Sequence, residues 1–279
     1  MTKTGIRVKV CPENHQQAEF DMPCADATWK AIQQETLEQA SQEPILASFL
    51  HATILNHNTM EDALSYHLAN KLGSPAASSM LIREVILEAL TKDECISCAA
   101  VADINAVKER DSACDNLSTP FLFFKGFHAL QSHRVAHWLW NHQRRELALF
   151  LQNRNSVIFG VDIHPAAKLG EGIMLDHATG IVIGETSVVG DNVSLMQSVT
   201  LGGTGKDAGD RHPKIEAGVM IGPGSKILGN IVIGEGAKVC AGSVVLKPVS
   251  AHTTVAGVPA VEVGQPQSQQ PALDMNQNI

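Results

Sequence analysis

In the second half of this chain Val, Ile or Leu recurs every six residues. The first run is Val157, Ile163, Leu169, Leu175 and Ile181; the phase then slips by two and continues at Ile183, Val189, Leu195 and Leu201. After an interruption it resumes at Ile215 and holds through Ile221, Ile227, Ile233, Val239 and Val245. A fixed short period marks a repeat architecture and overrides local propensity. Six is not a helical spacing, since helix faces recur at three and four while strands alternate at two. Gly170, Gly184, Gly190, Gly222 and Gly234 directly follow anchor residues, and Gly inside a helix costs about 1 kcal/mol against Ala. The pattern predicts a parallel β-helix: short strands, a turn, and one apolar anchor per face pointing inward. The fifth position is small or β-branched (Ala167, Thr179, Ser187, Val193, Val199, Val219, Ser225, Ala237, Ser243), as a narrow interior or a pleated surface requires. With three hexads to a coil, coils stack at roughly 4.8 Å. The period leaves the handedness open.

The whole chain reads as α+β and multidomain. Residues 1–25 show no period and are expected to be flexible; 26–155 read as a helical domain, 156–262 as the β-helix, and 263–279, rich in Gln, Pro and Ser, as a flexible, disordered tail. Within the helical part Thr59 and Asp62 form a capping box. Ile82, Val85, Ile86 and Ala89 make one apolar stripe. Thr119–Pro120 reads as an N-cap with Pro in the first helical position, opening a segment that runs to about Leu151.

Net charge is −8, which argues against nonspecific nucleic-acid binding. No run is long enough to span a membrane, and MTKTGIRVKV lacks the apolar core of a leader, so a cytoplasmic location is expected. Of the cysteines only Cys95 and Cys98 form a CxxC, with no second pair to complete a zinc site; reduced structural thiols are expected. His128, His133 and His137 share one predicted helix, but without the Glu of an HExxH motif they read as packing or surface residues.

The interruption, GGTGKDAGDRHPK between Leu201 and Ile215, is too polar and Gly-rich for a coil and reads as a loop thrown outward, the usual place for a binding face on a solenoid. Its spacing does not fit a Walker A loop, because Lys206 precedes Asp207 rather than Ser or Thr. Ionisable groups concentrate in Asp162-Ile163-His164-Pro165 and Leu175-Asp176-His177-Ala178. Charge beside buried anchors is costly unless paired or solvated. Fifteen residues separate Asp162 from His177, nearly one coil, so the two are expected in adjacent coils within reach of each other. A carboxylate beside an imidazole fixes its tautomer and stabilises its protonated form, as a general base requires.

These residues carry a resemblance. The hexads, DIHPAAKLGEGIMLDHATGIVIGE, SVTLGGTGKDAGDRHPKI and, upstream, KERDSACDNLSTPFLFFKGFHALQSHRVAHWLW resemble the serine O-acetyltransferase family of hexapeptide-repeat acyltransferases. The resemblance implies a left-handed β-helix that trimerises, helical domains that pair two trimers into a homo-hexamer, and transfer of acetyl from acetyl-CoA to the hydroxyl of L-serine in L-cysteine biosynthesis. It assigns the general base to His177 and its carboxylate partner to Asp162. Asp176 holds the serine amino group, Arg211 helped by His212 pairs with the serine carboxylate, Asp111 reaches in from the helical domain, and Glu185 is a further acidic residue near the site. No metal is implied. Donors for the thioester oxygen are expected near the backbone of Gly203. Lys206, Lys214, Lys226 and Lys238 are candidate cations for the polyanionic CoA, Lys238 foremost. The resemblance further implies feedback inhibition by L-cysteine, and capture of O-acetylserine sulfhydrylase by a tail whose last residue is Ile279. Three other readings compete: an acetyltransferase for a sugar or antibiotic hydroxyl, which Arg211 disfavours; a γ-type carbonic anhydrase conscripting His164, His177 and His212 for zinc; and a scaffold that binds the sulfhydrylase and turns over nothing.

Overall fold

The computed structural model describes residues 22–205 and 208–278, with side chains from Asp26 onward. The amino-terminal part is helical: α1 (Met22–Gln42), a 3-10 turn (Pro44–Leu46), α2 (Ala47–Leu50), a π turn (His51–Leu55), α3 (Met60–Leu72), α4 (Ser79–Lys92), α5 (Glu94–Arg110), α6 (Ser118–Phe123), α7 (Lys125–Asn141) and α8 (Arg145–Phe159). Thr59 caps α3 as its sequence dictates, its side chain accepting from Asp62 N. The stripe on α4 buries Ile82, Ile86 and Ala89. Thr119 is not an N-cap. The helix there starts at Ser118, and Asn116 Oδ1 accepts from Thr119 N at 2.9 Å. The expected single segment to Leu151 is broken at Phe124 and again between Asn141 and Arg145.

Three histidines, His67, His128 and His133, are buried in the helical half. His67 and His128 pack edge-on with ring centroids 4.9 Å apart, and their Nε2 atoms lie 3.1 Å from Leu122 O and 2.7 Å from Phe121 O. Burial lowers the His67 pKa from 6.5 to about 4, with Lys71 adding to the shift. The unfolded chain therefore binds the proton more readily, and stability is fully present above pH 6.5 and lost as pH falls towards 4. About 3 kcal/mol rides on this group, at 1.36 kcal/mol per unit. Urea midpoints should fall between pH 7.5 and pH 4.5, and His67→Phe should flatten that slope; a slope unchanged in the variant would remove His67 as its source.

Three parallel sheets follow, wound as a β-helix. They are β1-β4-β7-β10-β13, β2-β5-β8-β11 and β3-β6-β9-β12-β14, the last closed by the antiparallel β15. The strands run from β1 (Val161–Ile163), β2 (Lys168–Leu169), β3 (Met174–Asp176), β4 (Ile181–Ile183), β5 (Val188–Val189), β6 (Ser194–Met196), β7 (Thr200–Gly202) and β8 (Lys214–Ile215) to β9 (Met220–Ile221), β10 (Lys226–Leu228), β11 (Val232–Ile233), β12 (Lys238–Val239), β13 (Val244–Val245), β14 (Thr254–Gly257) and β15 (Ala260–Gly264). From Leu175 onward every predicted anchor is buried, and Ile163 with them. Leu169 is half-buried, and Val157 lies in α8 with 63 % of its surface exposed, so the solenoid begins at Val161, five residues after the start read from the period.

Register shows where the winding is irregular. Ile163 stacks on Ile183, Ile183 on Leu201, Leu201 on Ile227 and Ile227 on Val245, steps of 20, 18, 26 and 18 residues. Eighteen is three hexads. The two residues beyond eighteen in the first step fall in the corner 177–180, between β3 and β4. They turn Thr179 outward and put Ala178, fully buried, in the interior position expected of Thr179. The eight beyond eighteen in the third step belong to the predicted loop.

The two halves meet along α5, α7 and the first coil. Asp103 of α5 is fully buried, accepts from Arg134 Nη2 (2.7 Å) and Nε (3.1 Å) and from Gln131 (2.9 Å), and takes the backbone N–H of Ile173 at 2.9 Å. Arg134 also donates to Gly170 O at 2.7 Å. Burial pushes the Asp103 carboxyl up, opposed by the Arg134 guanidinium. At Gly126 the α7 backbone lies so close to β3 that a Cβ would stand 2.0 Å from Leu175 O. The tail, expected to be flexible, carries one short ordered element: α9 (Pro271–Asp274) seats Ala272 against Met196 and Met220, with Ser194 Oγ donating to Ala272 O at 2.9 Å. Cys114 and Cys240 are buried thiols whose pKa values burial raises. Cys95 is disulfide-bonded, which departs from the expectation of reduced thiols throughout.

Candidate active site

The predicted residues gather at two corners of the prism. The first is the lengthened corner between β3 and β4. His177 and Ala178 both take left-handed backbone, with φ of 53° and 59°, a conformation that costs an L-residue roughly 1–2 kcal/mol and that recurs at functional positions. Ala178 N donates to Asp176 O at 2.5 Å and Thr179 N to His177 O at 2.8 Å, so the turn is tight. It presents the His177 imidazole to solvent, 77 % exposed, with Nε2 3.8 Å from Asp176 Oδ1. Burial raises the Asp176 carboxyl; His177 pulls it down and Asp111, at the end of α5, pushes it up. Asp111, Asp176 and His177 therefore form one acidic pocket rim around an imidazole. Lys125 Nζ donates to Thr179 Oγ1 across the same corner.

Asp162 is placed differently from expectation. It lies outward on β1 in the same coil as His177, not an adjacent one, because the first coil takes twenty residues. Its carboxylate accepts from Gln152 Nε2 of α8 at 2.7 Å. The corner nonetheless closes close by, with Gly180 N donating to Gly160 O at 2.7 Å, two residues before Asp162.

The second corner lies at the other end of the same sheet, on the order of 15–20 Å away at about 3.3 Å per residue. It holds His164, Glu185, Thr186 and the returning end of the loop. Arg211 Nη2 bonds Glu185 Oε2 at 2.5 Å, and this guanidinium holds the Glu185 carboxyl below its usual range. Glu185 is thus the partner of Arg211. His212 is buried; its Nδ1 accepts from Thr186 N at 3.1 Å and lies 2.8 Å from Thr186 Oγ1. Its ring covers Gly184, where a Cβ would meet Nε2 at 2.1 Å, and faces Gly203, where the same distance would be 3.7 Å. Only Gly fits at 184. Burial lowers the His212 pKa, reinforced by Arg211 and Lys214. His164 repeats the arrangement one coil earlier, with Nδ1 accepting from Ala166 N at 3.1 Å, and Trp140 of α7 packs edge-on against it.

The candidate cations divide. Lys214 is occupied by Asp210 (2.6 Å), His212 O and Thr186 O. Lys226 donates to Ser198 O. Lys238 is buried under the tail, donating to Asn278 O. Lys206 and Ile279 lie outside the described residues. Among the described residues no group of three His, Cys, Asp or Glu is placed to hold a metal, and His177 sits a full face away from His164 and His212, so the three imidazoles of the zinc reading are not gathered. Sequence reasoning missed Thr186 and Gln152. The signal for Thr186 was Gly184, a glycine directly after an anchor in the coil that faces the loop.

Hexads wound into three parallel sheets, with ionisable groups confined to corners and an extruded loop, define a hexapeptide-repeat transferase; the family model described as bacterial transferase hexapeptide (six repeats) matches residues 212–247. The helical half narrows the class, because the model described as serine acetyltransferase, N-terminal, matches residues 28–132. A curated serine acetyltransferase of Salmonella typhimurium is 61 % identical over 260 residues, covering 92 % of this chain and 95 % of its own. The chain belongs to the serine acetyltransferase family, and is an acyltransferase. The solved serine acetyltransferase of Vibrio cholerae superposes with a TM-score of 0.90 at 60 % identity, over 90 % of this chain and 98 % of that one. A serine acetyltransferase solved in complex with cysteine gives 0.89 at 57 %, over 91 % and 98 %. The soybean enzyme with serine (0.84, 54 %, 86 % and 98 %) and the Brucella abortus enzyme with coenzyme A (0.86, 50 %, 88 % and 98 %) superpose similarly. Among the described residues no helix is long and apolar enough to cross a membrane.

Proposed function

We propose that this chain transfers acetyl from acetyl-CoA to the hydroxyl of L-serine, giving O-acetyl-L-serine and CoA for cysteine synthesis. The observation that carries the reading is the His177 corner: a strained two-residue lengthening that exposes one imidazole between two carboxylates. An alcohol is a poor nucleophile at neutral pH and needs a base as it attacks. His177 takes the hydroxyl proton, the serine oxygen bonds to the thioester carbon, and the C–S bond breaks as the imidazolium returns its proton to the leaving sulfur. Asp162, two residues past the Gly180–Gly160 bond that closes this corner, is assigned to orient the ring. Asp176 and Asp111 receive the ammonium, and their mutual repulsion makes a cation welcome. Arg211 offers its planar fork to the carboxylate, with His212 beside it and the Gly203 backbone available to the oxyanion.

The two corners are too far apart within one protomer to hold one serine. One serine would therefore need two copies, with the His177 corner of one beside the Arg211 corner of the next, and a trimer of prisms is the working unit we assign. On the helical domain Ile45 (85 % exposed), Leu46, Phe49 and Phe123 are exposed apolar side chains, and Phe49 and Phe123 lie together with centroids 6.2 Å apart. Such a surface suits pairing of two trimers into a hexamer. The relative that holds cysteine supports feedback by L-cysteine, which shares the serine backbone and competes for the same groups. Lys238 would reach CoA once the tail lifts. Capture of the sulfhydrylase by Ile279 rests on the family resemblance alone, and a cytoplasmic location is part of the same proposal.

A thiol-release assay with acetyl-CoA tests the reading. Activity is expected with L-serine and not with sugar or antibiotic acceptors, and L-cysteine should inhibit competitively with serine. Removing Ile279 should leave this rate intact and abolish co-elution with the sulfhydrylase. No thiol release with serine would sink the proposal, and co-elution of the shortened chain would sink its tail clause.

A further inference from the structure

Thr186 is the hub of the second corner, and nothing in the reading above gives it a task. Its Oγ1 accepts from both Arg211 N and His212 N, each at 3.0 Å. Those two bonds fasten the returning loop to the β4–β5 corner. With its acceptor capacity used, the hydroxyl is left to donate. Its neighbours for that proton are His212 Nδ1 at 2.8 Å and the Asp210 carboxylate. The backbone N–H of Thr186 also points at Nδ1, at 3.1 Å. A backbone N–H can only donate, so Nδ1 is an acceptor and carries no proton. The neutral ring must then carry its proton on Nε2, the nitrogen that faces Gly184 and Gly203.

We infer that Thr186 is a positioning residue for the serine site: it fixes the backbone of Arg211 and His212 and locks His212 as an Nε2–H donor turned towards the Gly203 strand end. The inference rests on the proposed roles of Arg211 and His212 in holding the substrate. His212 in this state cannot act as a base through Nε2. It supplies a hydrogen bond, and the lowered pKa that burial and the neighbouring Arg211 and Lys214 give it agrees with a neutral ring. The division of labour between the corners follows. The base belongs to the exposed imidazole and the donor to the buried one.

The test compares Thr186→Val with Thr186→Ser in the full-length chain. Val keeps the shape and removes the acceptor of two backbone N–H groups, a loss of order 1–3 kcal/mol per orphaned group. Thr186→Val should raise KM for serine at least about tenfold with KM for acetyl-CoA unchanged, and Thr186→Ser should restore most of it. Nitrogen-15 shifts of the His212 ring, recorded without substrate, provide the second readout. The parent protein should show Nε2 protonated and Nδ1 bare, and Thr186→Val should show the two states averaging. A parent ring protonated on Nδ1 overturns the inference whatever the kinetics. So does a Ser variant as impaired as the Val variant, which would make the methyl packing the cause. An averaged ring with unchanged serine KM would leave the positioning intact and remove His212 from serine recognition, so the two proposals fail separately.

Discussion

Replacing His177 by Ala should lower turnover by about 10²–10⁴-fold and leave the thermal midpoint within the range of surface substitutions. The side chain is 77 % exposed and its one carboxylate contact is at 3.8 Å, so little packing is lost. What is lost is the only strong base presented by the lengthened corner, and an unassisted serine hydroxyl attacks a thioester slowly. The decline should appear in kcat, with KM for both substrates near the parent values, because the acidic rim of Asp111 and Asp176 and the Arg211 corner are untouched. Near-normal turnover in this variant would transfer the base to another group. Asp176 is then the first suspect, since burial already raises its carboxyl.

The second large effect concerns the joint between the halves. Asp103→Ala should cost about 3–5 kcal/mol, the penalty for leaving a buried charge without its partner. In this case three groups are stranded together: the Arg134 guanidinium, 9 % exposed, the Gln131 amide and the backbone N–H of Ile173. Because Ile173 opens the way into β3, the damage is placed next to the His177 corner as well as in the joint. Replacing both partners, Asp103→Leu with Arg134→Met, should be much milder than either single change, because no charge is left buried. Chemical denaturation of the three variants decides it. A single variant no worse than the double would show that the pair contributes no coupling across the joint.

Much of the fold could be read from the spacing of aliphatic residues, because each inward position of a coil tolerates little else. The errors cluster where a one-dimensional period meets a change of winding. Val157 fits the six-residue phase by coincidence of a helix whose outer face carries Val157 and Ile158. Thr179 was assigned inward because the slip between Ile181 and Ile183 does not say which residues bulge. Asp162 and His177 were separated by a coil for the same reason. That ionisable residues sit at corners was legible, since the clusters flank anchors; their division between two corners, with Asp162 bonded to Gln152, was not. Nor were their hydrogen bonds. Gly184 marks the corner in GETS, but the sequence does not show Thr186 accepting two N–H groups donated from residues twenty-five and twenty-six positions further on, a contact that exists only because the loop returns to the coil it left.

The steps of 20, 18, 26 and 18 residues confine both lengthenings of the winding to the segment before Ile215, and the last turn is shortened instead, with sixteen residues from Val239 to Val255. The eighteen-residue turns in between are like treads of one height on a staircase, above the landing that carries the His177 corner. Their number can drift by whole treads without moving the reacting groups, whereas gaining or losing one residue at the landing would swing the imidazole to a different compass bearing.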